Sequence, residues 1–284
     1  MTTVVTDIKT ETVTQCIASF ENRFGKPHLY LAYHAALPLA VTPDLLYCLW
    51  ANFQQDCDGD SLSIPWVAVA NILLSSLFKE VGYELYEMED TVRSKLLEQL
   101  KEERNLGQKR IIELSHFLNE YVRQQLYSDD PDIQDFARAQ RWAALAYTQP
   151  TQAASELAMA LAKAYHEGMV EMLRISSLVE TLAEPLSEFE QLLAYARGMK
   201  YYALGDLDNA TDQLNKALTA GQDTSVAGIR LPIPEQLRAR LPNFPVAVTL
   251  LRKYPWLMAI AIAPTVPVAV FLLTFRSVII PLPE

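Results

Sequence analysis

The sequence predicts an all-α protein: a helical domain, then degenerate helix hairpins, then an apolar helix near the C-terminus. Three observations predict it. Apolar residues recur at three- and four-residue spacing through long stretches, as in Val92, Leu96, Leu97 and Leu100 or Ile111, Leu114, Leu118, Tyr121 and Val122. Half of the 284 residues are hydrophobic, a fifth are charged and only 9 are Gly, a composition that folds and favours helices. Twenty consecutive uncharged residues, Trp256–Phe275, close the pattern.

Taken in order, residues 1–25 are polar with one short apolar stretch, expected either as a single helix or as a partly unstructured segment. Residues 26–107 form a compact helical domain, with helices predicted at 28–36, 43–55, 65–79 and 90–104. Thr42-Pro43-Asp44 supplies a helix start, the Thr hydroxyl as N-cap and Pro at the first helical position. Ser63 before Ile64-Pro65 is expected to act similarly. The stretch Gly82–Met88 alternates as a short strand does, and a three-helix unit carrying such a strand resembles a winged helix over 43–100. Residues 108–221 form a helical-repeat domain, with helices at 108–126, 131–147, 150–167, 169–182, 186–203 and 207–219. Ser128–Asp132 is the turn and cap that opens the second of these. Residues 222–251 are a linker, because Gly228, Pro232, Pro234 and Pro242 discourage regular structure.

Residues 252–276 are read as a transmembrane segment. Twenty residues at about 1.5 Å each span roughly 30 Å, the thickness of a bilayer's hydrocarbon core. Pro264 and Pro267 would kink such a helix without forbidding it. Arg238, Arg240, Arg252 and Lys253 precede the segment and only Arg276 follows closely, which places the bulk of the chain in the cytoplasm. The expected topology is a tail anchor. No secretory signal is expected at the N-terminus, which lacks a basic start and an apolar run.

The formal charge of −10 argues against nucleic acid as a partner. Cys16, Cys48 and Cys57 show no metal spacing and are read as reduced thiols. No Gly-rich phosphate loop, GxSxG elbow or HExxH pair occurs, so no catalytic residue, cofactor or metal is expected. Asp56, Asp58 and Asp60 alternate as in a calcium loop, but Ser61 stands where Gly is required and Val67 where the bidentate Glu belongs. Cys57 with His34 as base would make a nucleophile only in a basic neighbourhood, and these acids supply the opposite. His34, in LAYHAALPLA, is expected to be a satisfied core histidine. Arg93 is expected to pair with Glu89 on a helix turn.

The run YARGMKYYALGDLDNATDQLNKAL, within 188–221, resembles a tetratricopeptide repeat, a 34-residue pair of antiparallel helices. Gly198 matches the small residue of the first helix, Tyr201 the aromatic three further on, and Gly205-Asp206 the turn. Ala210, Leu214 and Ala217 match the packing positions of the second helix. Ala194 and Gln222 depart from the pattern. A poorer match at 134–167 repeats the spacing with Ala153, Leu157 and Ala160. The two units are 57 residues apart (210 − 153), so the array is degenerate. On this reading Tyr195, Lys200 and Tyr202 of the first helix are the residues that would contact a protein partner.

Four further runs, FGKPHLYLAYHAALPLAVTPDLLYCLWANF, IPWVAVANILLSSL, VGYELYEMEDTVRSKLLEQL and FARAQRWAALAYTQP, resemble an effector-associated N-terminal helical region of bacterial, chiefly cyanobacterial, multidomain proteins. There it is joined to caspase-like peptidase, formylglycine-generating-enzyme-like or NTPase modules. The resemblance spans most of 20–240 and carries no catalytic motif. It implies a non-enzymatic adaptor in a signalling or defence-type system, anchored to a membrane through Trp256–Phe275. The alternatives are a nucleic-acid-binding regulator built on 43–100, an accessory subunit of a separate effector enzyme, and a hydrolase whose cleft holds an oriented His or Cys.

Overall fold

The computed structural model describes residues 2–218, 225–226, 228–238 and 240–241, with side chains from residue 11 onward. Twelve α-helices and five short strands lie among them. Residues 1–240 form one unit. Trp256–Phe275 and much of the linker lie outside the described residues. Among those described, no helix is long and apolar enough to cross a membrane.

The N-terminal segment is one helix, α1 (Thr2–Phe24), which sets Val13, Ile17 and Phe20 into the core at three- and four-residue spacing. Next come α2 (Lys26–Ala35), β1 (Ala40–Val41), α3 (Pro43–Asn52) and α4 (Ala68–Leu73). Thr42 caps α3 as its sequence predicts: its side-chain oxygen accepts from the Leu45 N–H at 3.1 Å, with Pro43 opening the helix. Ser63 caps nothing. It sits at φ 53, five residues before α4 begins.

The predicted helix over 65–79 is the largest departure. Only the six residues of α4 are helical, and Phe78–Gly82 is a strand, β2, paired with β3 (Leu85–Met88). The reason is tertiary. The pairs Phe78 with Met88 and Lys79 with Glu87 give this segment ladder hydrogen bonds, and β3 pairs again with β1 through Ala40–Glu87 and Val41–Tyr86. The result is a three-stranded antiparallel sheet in the order β1-β3-β2. The buried amide of Gln140 secures its far edge, accepting from Leu39 N–H at 3.0 Å and donating to Ala40 O at 2.7 Å.

The remaining helices run close to their predicted spans: α5 (Asp90–Glu102), α6 (Gly107–Val122), α7 (Pro131–Thr148), α8 (Pro150–Glu167), α9 (Met169–Thr181), α10 (Glu190–Ala203) and α11 (Leu207–Ala217). Asp130 caps α7 by accepting from Asp132 N–H at 2.9 Å, and Asp206 caps α11 by accepting from Asn209 N–H at 3.1 Å. One apolar core runs from Val13 through Leu118 to Ala144, so α6 and the middle of α7 pack with α1–α5 across the expected boundary at 107/108. The linker is not wholly irregular. β4 (Ser225–Val226) pairs with β5 (Ile229–Arg230), and a single turn, α12 (Glu235–Arg238), follows.

Candidate functional site

At α10 and α11 the small residues permit unusually close helix contact. A Cβ on Gly198 would lie 2.7 Å from Leu214 Cγ, nearer than side chains tolerate, and a tight 3.2 Å from Ala210 O. Ala210, Leu214 and Ala217 are buried on the facing side, and Gly205 turns the chain between the helices at φ 82, where an L side chain would be strained. Tyr201 stays partly exposed.

The three residues expected to meet a partner are engaged within the chain. Tyr195 is fully buried, and its hydroxyl donates to Pro232 O at 2.6 Å. Burial drives its phenol pKa far above the usual range. Lys200 bonds Glu180 across to α9, and the Tyr202 hydroxyl donates to Gln236 Oε1 at 3.5 Å. Leu231, Ile233 and Leu237 are buried, so the returning segment lies against this side of the hairpin. Tyr195 in particular is out of any partner's reach, because nothing in the local sequence signals that residues 231–237 will fold back over it.

The open apolar surface lies elsewhere. The stretch 66–77, WVAVANILLSSL, carries no charge. Trp66, two residues before α4, Ala70 within it and Leu74, its C-cap, are all exposed, Trp66 to 70% and Leu74 to 84%. Ala68 and Ile72 anchor the helix in the core. At the β2–β3 turn Tyr83 is 92% exposed. Trp50 supports the approach to α4: its indole N–H donates to Ile64 O at 2.9 Å, and its ring packs against Tyr47.

The loop 54–62 is built from its own hydrogen bonds. Asp56 Oδ1 accepts the N–H groups of Asp58 and Asp60, both at 2.9 Å, and its Oδ2 accepts from Asn105 at 3.1 Å. Burial raises this carboxyl's pKa, but the N–H donors outweigh it and hold the group below the usual range. Its oxygens are thereby taken up by the fold. Among the described residues no group of three His, Cys, Asp or Glu side chains is placed to hold a metal. The Cys57 thiol donates to Leu106 O at 3.4 Å and reaches Glu113 at 3.8 Å, so it is engaged within the fold.

Three buried polar groups escape simple sequence reading. His34 is in the core as expected, yet neither ring nitrogen has a hydrogen-bond partner among the described residues. Burial, with the nearby Arg110 charge, lowers its pKa to about 3. Arg110 donates to Gln55 O at 2.6 Å, reaches Glu113 at 3.1 Å and lies over the Phe53 ring. Arg93 does not make the expected surface pair with Glu89. Its guanidinium turns inward to Leu37 O at 2.9 Å and Thr181 O at 3.3 Å, near the C-terminal ends of α2 and α9. Its burial pushes the pKa down, opposed by nearby Tyr147, Asp90 and Glu184. Arg93 forms part of a cleft of about 640 Å³ shared by α1, α5, the end of α7 and the end of α9.

No family model matches the chain, and no match emerges among curated proteins or solved structures.

Proposed function

We propose that the chain is a non-enzymatic adaptor that binds a protein partner and is held at a membrane by Trp256–Phe275, with residues 1–240 in the cytoplasm, in a bacterial signalling or defence-type system. The observation that carries the reading is the exposed, uncharged surface around α4, with Trp66 just before the helix and Leu74 just after it turned to solvent. Large apolar side chains on a charge-free helical turn suit a protein surface: burying them on binding returns free energy that exposure withholds. The degenerate repeat hairpins α7–α11 then act as the support. Their tetratricopeptide-like packing residues Gly198, Ala210, Leu214 and Ala217 stiffen the unit, while Tyr195, Lys200 and Tyr202 hold it together.

A second reading has one observation in its favour. The order α2-β1-α3-α4-β2-β3 with sheet order β1-β3-β2 is winged-helix-like, which suits a nucleic-acid-binding regulator. Charge weighs against it: α4 stands where a recognition helix would, and 66–77 holds no Lys or Arg to meet a phosphate.

The test places a photo-crosslinking residue at Leu74 of the full chain in its native cells, with Tyr127, 84% exposed on the surface far along the sequence, as control. A discrete protein adduct at 74, absent at 127 and lost on Trp66→Glu, supports the adaptor. A salt-sensitive shift of duplex DNA with no such adduct supports the regulator instead. Fractionation of the full chain against a version ending at Leu241 tests the anchor: only the full chain should stay with membranes through a carbonate wash.

A further inference from the structure

The cleft beside Arg93, about 640 Å³, falls in the size range of small-molecule pockets. Its walls are mainly apolar in character: Val13 of α1, Leu97 of α5 and the ring of Tyr147, over which Lys101 sits at 5.6 Å. The charges around it divide unevenly. Lys95 bonds Glu98 at 2.6 Å, and Lys101 bonds Glu184, so these two cations have carboxylate partners. Asp90 is solvent-exposed in the first turn of α5, where the helix dipole favours it. Arg93, 97% buried by its 3% exposure, is bonded by no carboxylate among the described residues.

A guanidinium has five N–H groups and keeps its proton in proteins. Two carbonyls, Leu37 O and Thr181 O, take one bond each, and Nε has no partner among the described residues. Carbonyls at helix ends bring partial charge only, so they orient the group without neutralising it. A buried cation held in one orientation, beside a cavity with apolar walls, is complementary to an anion. Charge number narrows the class. Asp90 and Glu184 line the same space, so a dianion such as phosphate meets more repulsion than a monoanion does.

We propose that this cleft binds a small monocarboxylate with an apolar body, its carboxylate on the N–H groups of Arg93 and its body against Val13, Leu97 and Tyr147. The site joins α1, α5, α7 and the end of α9, so an occupant would brace these elements against one another. The proposal stands independently of the adaptor reading.

The probe is 4-phenylbutyrate, titrated by calorimetry into the full chain in a non-ionic detergent, with the neutral isostere 4-phenylbutanol and inorganic phosphate as comparisons. Binding of the carboxylate at least tenfold tighter than the alcohol is expected, with no competition from phosphate. Arg93→Lys should weaken it about tenfold, since Lys lacks the planar fork. Ser94→Trp, an exposed lining position, should abolish it while leaving the far-ultraviolet circular dichroism unchanged, which separates loss of the site from loss of the fold. Equal binding of alcohol and acid, competition by phosphate, unchanged affinity in a folded Ser94→Trp, or no binding at all would each overturn the proposal.

Discussion

At the α10–α11 contact, the chain removes side-chain atoms so that two helices can touch: Gly198 leaves room for Leu214 and the Ala210 backbone. Between α2, α5 and α6 it does the reverse, burying His34, Arg93 and Arg110 among leucines and satisfying them only in part. The first arrangement depends on shape and is insensitive to pH. The second depends on where carbonyls and charges come to lie, and it is sensitive to both pH and substitution. Protein interiors tolerate each, but an incompletely bonded polar group costs more than a mid-helix glycine does. The partly satisfied cluster therefore marks the region where ligand or partner chemistry has most to gain.

The largest effect that would break this contrast is expected at Arg93. Arg93→Met keeps much of the volume but strands Leu37 O and Thr181 O. Two charge-assisted bonds are lost, so a destabilisation of about 4 kcal/mol is expected in urea unfolding. A loss near zero would mean that the carbonyls re-pair and that the guanidinium is dispensable to the fold.

Next in size is the acid response of His34. Its pKa is lowered to about 3 in the folded chain, against about 6.5 when unfolded. Below pH 6.5 the unfolded state therefore binds the proton that the folded state refuses, and stability falls as pH drops towards the folded value. Between pH 6.5 and about 4.3 this contributes a loss of about 3 kcal/mol. His34→Gln should remove that share of the pH dependence. Wild type and variant with parallel stability–pH curves would refute it.

Smaller again is Gly198→Ala, which puts a Cβ 2.7 Å from Leu214 Cγ. Overpacking of this kind costs about 2 kcal/mol, and Leu214→Ala in the same chain should recover part of it. The smallest is Thr42→Ala. It removes the oxygen that accepts from Leu45 N–H and should cost about 1 kcal/mol, independent of pH. A pH-dependent loss at Gly198 or Thr42 would blur the division between shape-held and charge-held regions.

Much of the helical framework was legible along the chain because its causes are local. Asp130-Pro131 and Thr42-Pro43 announce helix starts by cap chemistry, and the leucine spacing in α5 and α6 shows which face is buried. The candidate site was less legible. The run 66–77 lies within the helix predicted over 65–79, and its composition alone does not say which of its apolar side chains face solvent. The exposure of Trp66 and Leu74 depends on what packs over α4 and what does not. The contact role of Tyr195, Lys200 and Tyr202 could not be judged from spacing, since residues 231–237 that cover or bond this side are distant in sequence.

The sequence by itself determined most of the helix content and boundaries, the Thr42 and Asp130 caps and the close α10–α11 contact, because each depends on residues within about one turn or one hairpin of each other. Only the tertiary structure decided that Phe78–Gly82 would leave the helix for a sheet, and that Arg93 would turn inward to carbonyls 56 and 88 residues away. It likewise decided that the segment after β5 would close over Tyr195. A backbone N–H or a guanidinium takes whichever acceptor the fold brings within about 3 Å, and for these groups the acceptor comes from another part of the chain.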